Sequence, residues 1–426
     1  MEKKKISKVY IGYDLGREDC QISLYSKETG SEPISIATCL GGDRIRIPLT
    51  LAKRTGIEQW YYGEEAIRKA EQEEAVLVEN IYEKALQKET IILDEKEYQG
   101  ELLFQMYIKK TLGLLLSYIP LEKIDSCTFC VEKMEKETVE MWKNLMETLP
   151  IKKEALYAIS YSEAFAYYMA YQDQSLWERG VLLLEYDKNL LKGRILTTDK
   201  NTLPHLMKVE EVETVEMEPD DQLFMNYVKQ IVSGHLVSSV YLVGDGFKEQ
   251  WYQETLKLLC QGRRAFRGQN LYGLGALNYS GMKLGVKEQK CLYLGQEQIQ
   301  VNFFLNAIYQ GQEMDYEILS ADLHWYEAET EIEFIPDDRN EAAVYARGLD
   351  GKCEEIIRVI LQDFPVREKK ASRLKLNIYF KDKNTGVIQV TDMGFGEIYE
   401  SSGKIWKEEF DLQILEEKLN GNLKKI

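Results

Sequence analysis

Tyr241-Leu242-Val243-Gly244-Asp245-Gly246-Phe247 runs an apolar stretch straight into a glycine–acid–glycine turn. Such a stretch predicts a buried strand, and the glycines let the backbone turn sharply and approach a neighbouring group closely. Far upstream, Val9-Tyr10-Ile11-Gly12-Tyr13-Asp14-Leu15-Gly16 has a similar build. Residues 20–25 then alternate through Ile22 and Leu24, so a hairpin is predicted with Asp14 and Gly16 at its tip. Between the two, Val181-Leu182-Leu183-Leu184-Glu185-Tyr186 predicts another buried strand, with residues 190–197 returning from it. Downstream, Gly273-Leu274-Gly275-Ala276-Leu277 places small residues at the start of a helical segment.

The chain has 426 residues, enough for two or three domains with real cores. Its formal charge of −17 argues against nucleic acid and against an anionic membrane surface, both of which need clustered Lys and Arg. No signal-like apolar run follows the basic start, and the longest apolar stretch, residues 112–119, is too short to span a bilayer. A cytoplasmic location is the expectation. Seven cysteines are scattered without framework spacing. Cys127-Thr128-Phe129-Cys130 spells C-x-x-C, yet no second pair exists and His205, His235 and His324 are isolated in sequence. These cysteines therefore read as small apolar residues of a strand, and no metal site is expected.

Helices are predicted at 64–74, 102–118, 137–148, 163–171 and 223–233 from apolar spacing. The acidic residues 210–221 read as a solvated connection. Near residue 286 helical periodicity fades. Short alternating strands follow, the clearest at 374–380 and 387–392 around an Asp382-Lys383-Asn384-Thr385-Gly386 turn. The tail from 408 holds one short helix. No internal repeat is legible.

Three strand-to-glycine elements in this order resemble the nucleotide fold shared by Hsp70 chaperones, actin-like proteins and sugar kinases. The resemblance implies an α/β, two-lobed core over residues 1–286 with a shortened second lobe. A C-terminal antiparallel β domain over 287–426, similar to an Hsp70 peptide-binding domain, would follow it. The strands at 8–13 and 181–186 would sit at the centres of two different sheets. The resemblance further implies a nucleotide site, ATP or ADP with Mg²⁺, built from Asp14, Gly16, Arg17, Glu163, Glu185, Gly244, Asp245 and Gly246.

The phosphate loops depart from the family pattern. Arg17 and Glu18 stand where the first turn has threonines, and Asp187-Lys188-Asn189 stands where the second has glycines. A phosphate cradle needs backbone approach without Cβ atoms. Glu18 and Asp19 add negative charge against a negative ligand, costing on the order of 4 kcal/mol per close contact at an effective dielectric of 20. Arg17 could offset part of that by meeting a phosphate. The leading expectation is therefore a protein that binds a protein or peptide partner and hydrolyses little or no nucleotide. An active Hsp70-like ATPase and an actin-like assembly subunit are the alternatives. Trp325 and Phe395, in aromatic clusters of the C-terminal domain, are the candidate partner contacts, against the plainer reading that they fill its core.

Overall fold

The computed structural model describes residues 8–27, 30–38, 44–200, 204–268, 270–337 and 341–421. It divides into two compact units, Met1–Tyr293 and Leu294–Ile426, so the boundary lies slightly beyond the expected residue 286. Cys39 lies outside the described residues.

The first unit is built on two mixed sheets. One uses β1 (Tyr10–Leu15), β2 (Asp19–Tyr25), β3 (Ile34–Ser35), β4 (Ser126–Val131) and β5 (Leu156–Ser160) in the order β3-β2-β1-β4-β5. β1 runs antiparallel to β2 and parallel to β4, and β4 runs parallel to β5. The other uses β6 (Val181–Asp187), β7 (Leu190–Asp199), β8 (His205–Glu216), β9 (Ser239–Val243) and β10 (Arg264–Arg267). Its order is β8-β7-β6-β9-β10, antiparallel across β6–β7–β8 and parallel across β6–β9–β10. The two sheets thus repeat one order and one set of directions. A short strand, β11 (Cys291–Tyr293), adds to the start of β8 and closes the unit. β1 and β6 are the central strands of separate sheets, as expected.

Central strands covered on both faces should be apolar at nearly every position. β4 is buried at all its positions, including Cys127 and Cys130, which fits the reading of both cysteines as packing residues. Burial pushes both thiols above their ordinary range, which makes them poor nucleophiles.

Each sheet's last strand leads to a helix: α1 (Tyr161–Ala170) follows β5, and α3 (Leu271–Lys283) follows β10. Between them in sequence, α2 (Asp221–Gly234) is capped by the Asp220 carboxylate on the Leu223 N–H at 2.9 Å. α2 packs Phe224, Val228 and Ile231 with the second sheet's Leu182 and Leu184. α1 and α3 cross with almost no space. A Cβ on Gly275 would lie 1.9 Å from the Ala164 carbonyl oxygen, and one on Gly12 would lie 2.0 Å from the Gly273 carbonyl oxygen. The small residues of 273–276 therefore let a helix approach both a second helix and strand β1.

Residues 210–216 of the acidic stretch read as a connection instead finish β8, and 217–220 do connect it to α2. Period two is disguised there because a bulge opposite Leu191 and Gly193 adds a residue between Val212 and Val215. Val209 packs on one face of the sheet, while Val212 and Val215 pack on the other. The glutamates between them stay at the surface.

The second unit holds two four-stranded antiparallel sheets. Its strands are β12 (Val301–Tyr309), β13 (Gln312–Leu319), β14 (Thr330–Phe334), β15 (Glu341–Gly348), β16 (Glu354–Ile360), β17 (Leu374–Phe380), β18 (Thr385–Asp392) and β19 (Ile405–Asp411). The orders are β13-β12-β15-β16 and β14-β17-β18-β19. The expected hairpin is present, with Asp382 accepting from the N–H groups of Asn384 and Thr385 at its turn. Phe303 of one sheet meets Phe380 and Phe410 of the other in the core. The tail helix, α4 (Leu412–Asn420), starts later than the expected residue 408, because residues 408–411 finish β19.

Candidate functional site

The C-terminal ends of the two central strands carry Asp14 and Glu185, and the first unit brings them towards each other. The Tyr161 hydroxyl at the start of α1 lies close enough to Asp14 to favour its charged carboxylate. Tyr161 stacks on Tyr272 of α3, centroids 3.9 Å apart and planes 7° from parallel. Tyr272 donates to Glu185 Oε2 at 2.9 Å, and Arg194 Nη1 reaches the same oxygen at 3.0 Å and the Tyr272 hydroxyl at 2.8 Å. The side chains of Tyr161, Tyr272, Glu185 and Arg194 thus form a connected series between the two strand ends. Arg194 is only 3% exposed, and Tyr272 and Glu185 hold its charge in place although burial opposes it.

The turns that follow these strands are tight. β6 and β7 are joined by Lys188 and Asn189 alone, both at positive φ, +47° and +62°. That is the geometry of a two-residue hairpin of the kind whose twist suits its strands. In the first turn, Gly16 N–H donates to the Asp19 carbonyl at 2.9 Å, and a Cβ on Gly16 would meet that oxygen at 3.0 Å. Lys188 pairs with Glu18, tying one turn to the other.

Further ion pairs join the same region. Arg46 reaches Asp245 at 2.6 Å and Asp19 at 3.5 Å. Glu132, just past β4, takes Arg17 at 2.9 Å and also pairs with Lys192 of β7. Lys133 meets Glu211 of β8 at 2.9 Å. Exposed pairs of this type contribute about 0–1 kcal/mol each.

The expected site residues are only partly assembled. Asp14 and Glu185 converge, but on tyrosines. Arg17 faces Glu132. Glu163 sits in the first turn of α1, 2% exposed, with its N–H capped by Ser160 Oγ. Gly244, Asp245 and Gly246 pack against the end of β6. A Cβ on Gly244 would lie 2.5 Å from the Tyr186 carbonyl oxygen, one on Gly246 would lie 2.4 Å from the Tyr186 ring, and Asp187 accepts the Asp245 N–H. Both glycines thus have a packing reason to be there. Tyr161, Tyr272, Arg46 and Arg194 were not anticipated. Arg194 left one signal, a lone arginine in the otherwise apolar Gly193-Arg194-Ile195-Leu196.

Burial pushes the Asp14 carboxyl up to about 7, with Asp19 and Glu185 adding repulsion against the pull of Tyr161 and Arg46. Burial likewise raises Asp19 to about 6 and raises Asp187. A carboxyl raised on folding favours the folded state fully below its unfolded value of 3.8, and that contribution is lost as pH rises to about 7. Stability should therefore fall between about pH 4 and about pH 7, by up to about 4 kcal/mol from Asp14 at 1.36 kcal/mol per unit. Asp14→Asn keeps an acceptor for Tyr161 without the charge. Urea unfolding across this range should give a flatter profile for that variant and higher stability at the alkaline end. An unchanged slope would remove Asp14 from the explanation.

In the second unit, Trp325 is 4% exposed and belongs to the interior, which corrects its candidacy as a partner contact. Phe395 stays 39% exposed on the loop 393–403, beside Ile398 at 82%. A buried pair fixes that loop's base. Arg367 Nη1 and Nη2 reach the two Asp392 oxygens at 2.6 and 2.7 Å, and Asp392 also accepts from the N–H of Ser402 at 2.8 Å. The Phe395 N–H donates to the Tyr399 carbonyl at 2.7 Å, so the loop is shaped by its own bonds.

A family of unknown function, DUF5716 C-terminal, matches residues 32–296. The chain belongs to that family. A domain of unknown function, DUF8552, matches residues 298–412, so the two matches meet close to the boundary between the two units. A comparison with curated proteins finds no match. Among the described residues no group of His, Cys, Asp and Glu is placed to hold a metal ion, and no helix is long and apolar enough to cross a membrane.

Proposed function

We propose that this family member is a non-hydrolysing relative of the Hsp70 and actin-like proteins that acts by binding a protein or peptide. The repeated sheet order of the first unit supports the two-lobed part of this reading, each sheet being the core of one lobe. The observation that carries it is the stacked Tyr161–Tyr272 pair between Asp14 and Glu185. In the family this reading invokes, the two strand-end carboxylates organise Mg²⁺ and water around a phosphate chain. Here the carboxylates are engaged by tyrosines, and Glu185 is neutralised by Arg194. The second turn presents Lys188 and Asn189 instead of a glycine cradle. These residues do not fit a magnesium triphosphate.

The exposed loop bearing Phe395 and Ile398 is the favoured partner surface of the second unit. Its rigid base lowers the ordering cost of binding.

Phosphate release from Mg²⁺-ATP should stay at background for the purified chain, and Asp14→Asn should leave it there. Turnover that Asp14→Asn abolishes would restore the active-ATPase reading. For the binding half, a crosslinker placed at residue 398 should capture a defined partner that a Phe395→Ala chain with unchanged melting loses. Equal capture by both chains would refute the loop assignment.

A further inference from the structure

We propose that the open edge of the second sheet, strand β10, takes up an acidic extended polypeptide segment as an added strand. β10 belongs to the first unit, and the proposal does not depend on the preceding reading. β10 pairs in parallel with β9 on one side, and among the described residues no strand pairs with it on the other. The N–H groups of Arg264 and Gly268 donate inward to Ser238 and Leu242, each at 3.1 Å. In a parallel ladder the intervening alternate residues then turn their N–H and C=O outward. Ala265 and Arg267 therefore offer a free backbone edge.

The side chains around this edge are basic in a chain whose net charge is −17. Arg263 reaches the Leu258 and Gln261 carbonyls, both at 3.4 Å. Arg264 contacts Ser175 Oγ at 3.4 Å, and Arg267 contacts the Phe247 and Lys248 carbonyls at 3.3 and 3.4 Å. These are long bonds to neutral acceptors, and among the described residues none of the three guanidiniums has a carboxylate in contact. Asp173 lies close enough to feel Arg264, but no ion pair forms between them, and Asp173 Oδ1 accepts from the Ser175 N–H and hydroxyl. Guanidiniums with free donors favour carboxylates, which they can hold through paired bonds.

Alternation along the strand places Arg264 and Phe266 on one face and Arg267 on the other. Phe266 is partly exposed and stacks on Tyr241 with centroids 4.9 Å apart, adding an apolar step beside the arginines. Charge on an edge strand normally blocks pairing. Like charges repel a second β10 edge and any basic strand, whereas an acidic strand gains ion pairs on both faces together with ladder hydrogen bonds.

The test uses the full chain and a fluorescein-labelled nonapeptide of Glu-Glu-Val repeats, read by anisotropy. Comparison peptides carry lysine for glutamate, or proline at alternate positions. The expected result is saturable binding of the acidic peptide only, weakened by added salt. The double change Arg264→Glu and Arg267→Glu should weaken it about tenfold or more at unchanged melting temperature. Arg264→Gln with Arg267→Gln should fall between, which keeps the test informative if charge reversal disturbs the fold. No saturable binding, equal binding of the proline peptide, or indifference to the arginines would overturn the proposal. Self-association of the chain that the same variants abolish would assign the edge to a second copy instead and also overturn it.

Discussion

Gly275→Val is expected to destabilise the first unit by more than about 3 kcal/mol, beyond the usual range for an overpacked core. At this position the obstacle is backbone: the new Cβ would lie 1.9 Å from the Ala164 carbonyl oxygen and 3.0 Å from the Ala164 Cα. A side chain could rotate away, but α1 has to move bodily. That motion would pull Tyr161 off Tyr272, and the pair between the strand ends would open with it. Gly275→Ala should already show most of the loss. Gly113→Ala is the control, because nothing lies within 4 Å of its Cβ position and its φ of −58° suits alanine. Urea unfolding followed by tryptophan fluorescence should separate the two sites clearly. Equal midpoints for Gly275→Val and the parent would contradict the crossing.

Arg194→Ala is expected to cost about 3–5 kcal/mol, the usual penalty for leaving one partner of a buried pair behind. Among the described residues Glu185 would keep Tyr272 as its close donor, in a site with little access to water. Arg194→Met together with Glu185→Gln should recover most of the loss. The amide oxygen can still accept from Tyr272, and no charge remains uncompensated. This double-mutant comparison also separates the pair from packing, since methionine replaces much of the arginine stem. A single variant costing under about 1 kcal/mol would place the pair among ordinary surface contacts.

Much of the first unit was legible locally. Runs such as 181–186 and 241–243 are buried strands because nearly every residue in them is apolar, and Gly16, Gly244 and Gly246 mark tight places. The alternation at 374–380 announced an antiparallel hairpin that the structure contains. The strand at 205–216 was hidden by its bulge, which moves Val212 and Val215 onto one face and breaks the pattern that periodicity detects. Trp325 was ambiguous for a different reason: an aromatic residue beside His324 and Tyr326 has the same local sequence whether it faces water or the core.

The duplicated sheet order left no repeat in the sequence. What the two halves share is direction and neighbour order, and those are set by backbone pairing, which many apolar residues can satisfy. The candidate site shows the same division. The chain alone determined that acids end β1 and β6 and that the turns after them carry Arg17, Glu18, Lys188 and Asn189. Only the tertiary structure decided what those acids meet. Tyr161 and Tyr272 lie 111 positions apart by number and become neighbours because α1 and α3 cross at small residues. Arg194 reaches Glu185 because the two-residue turn folds β7 back beside β6. Such contacts depend on long-range packing, in which distance along the chain carries no information about distance in space.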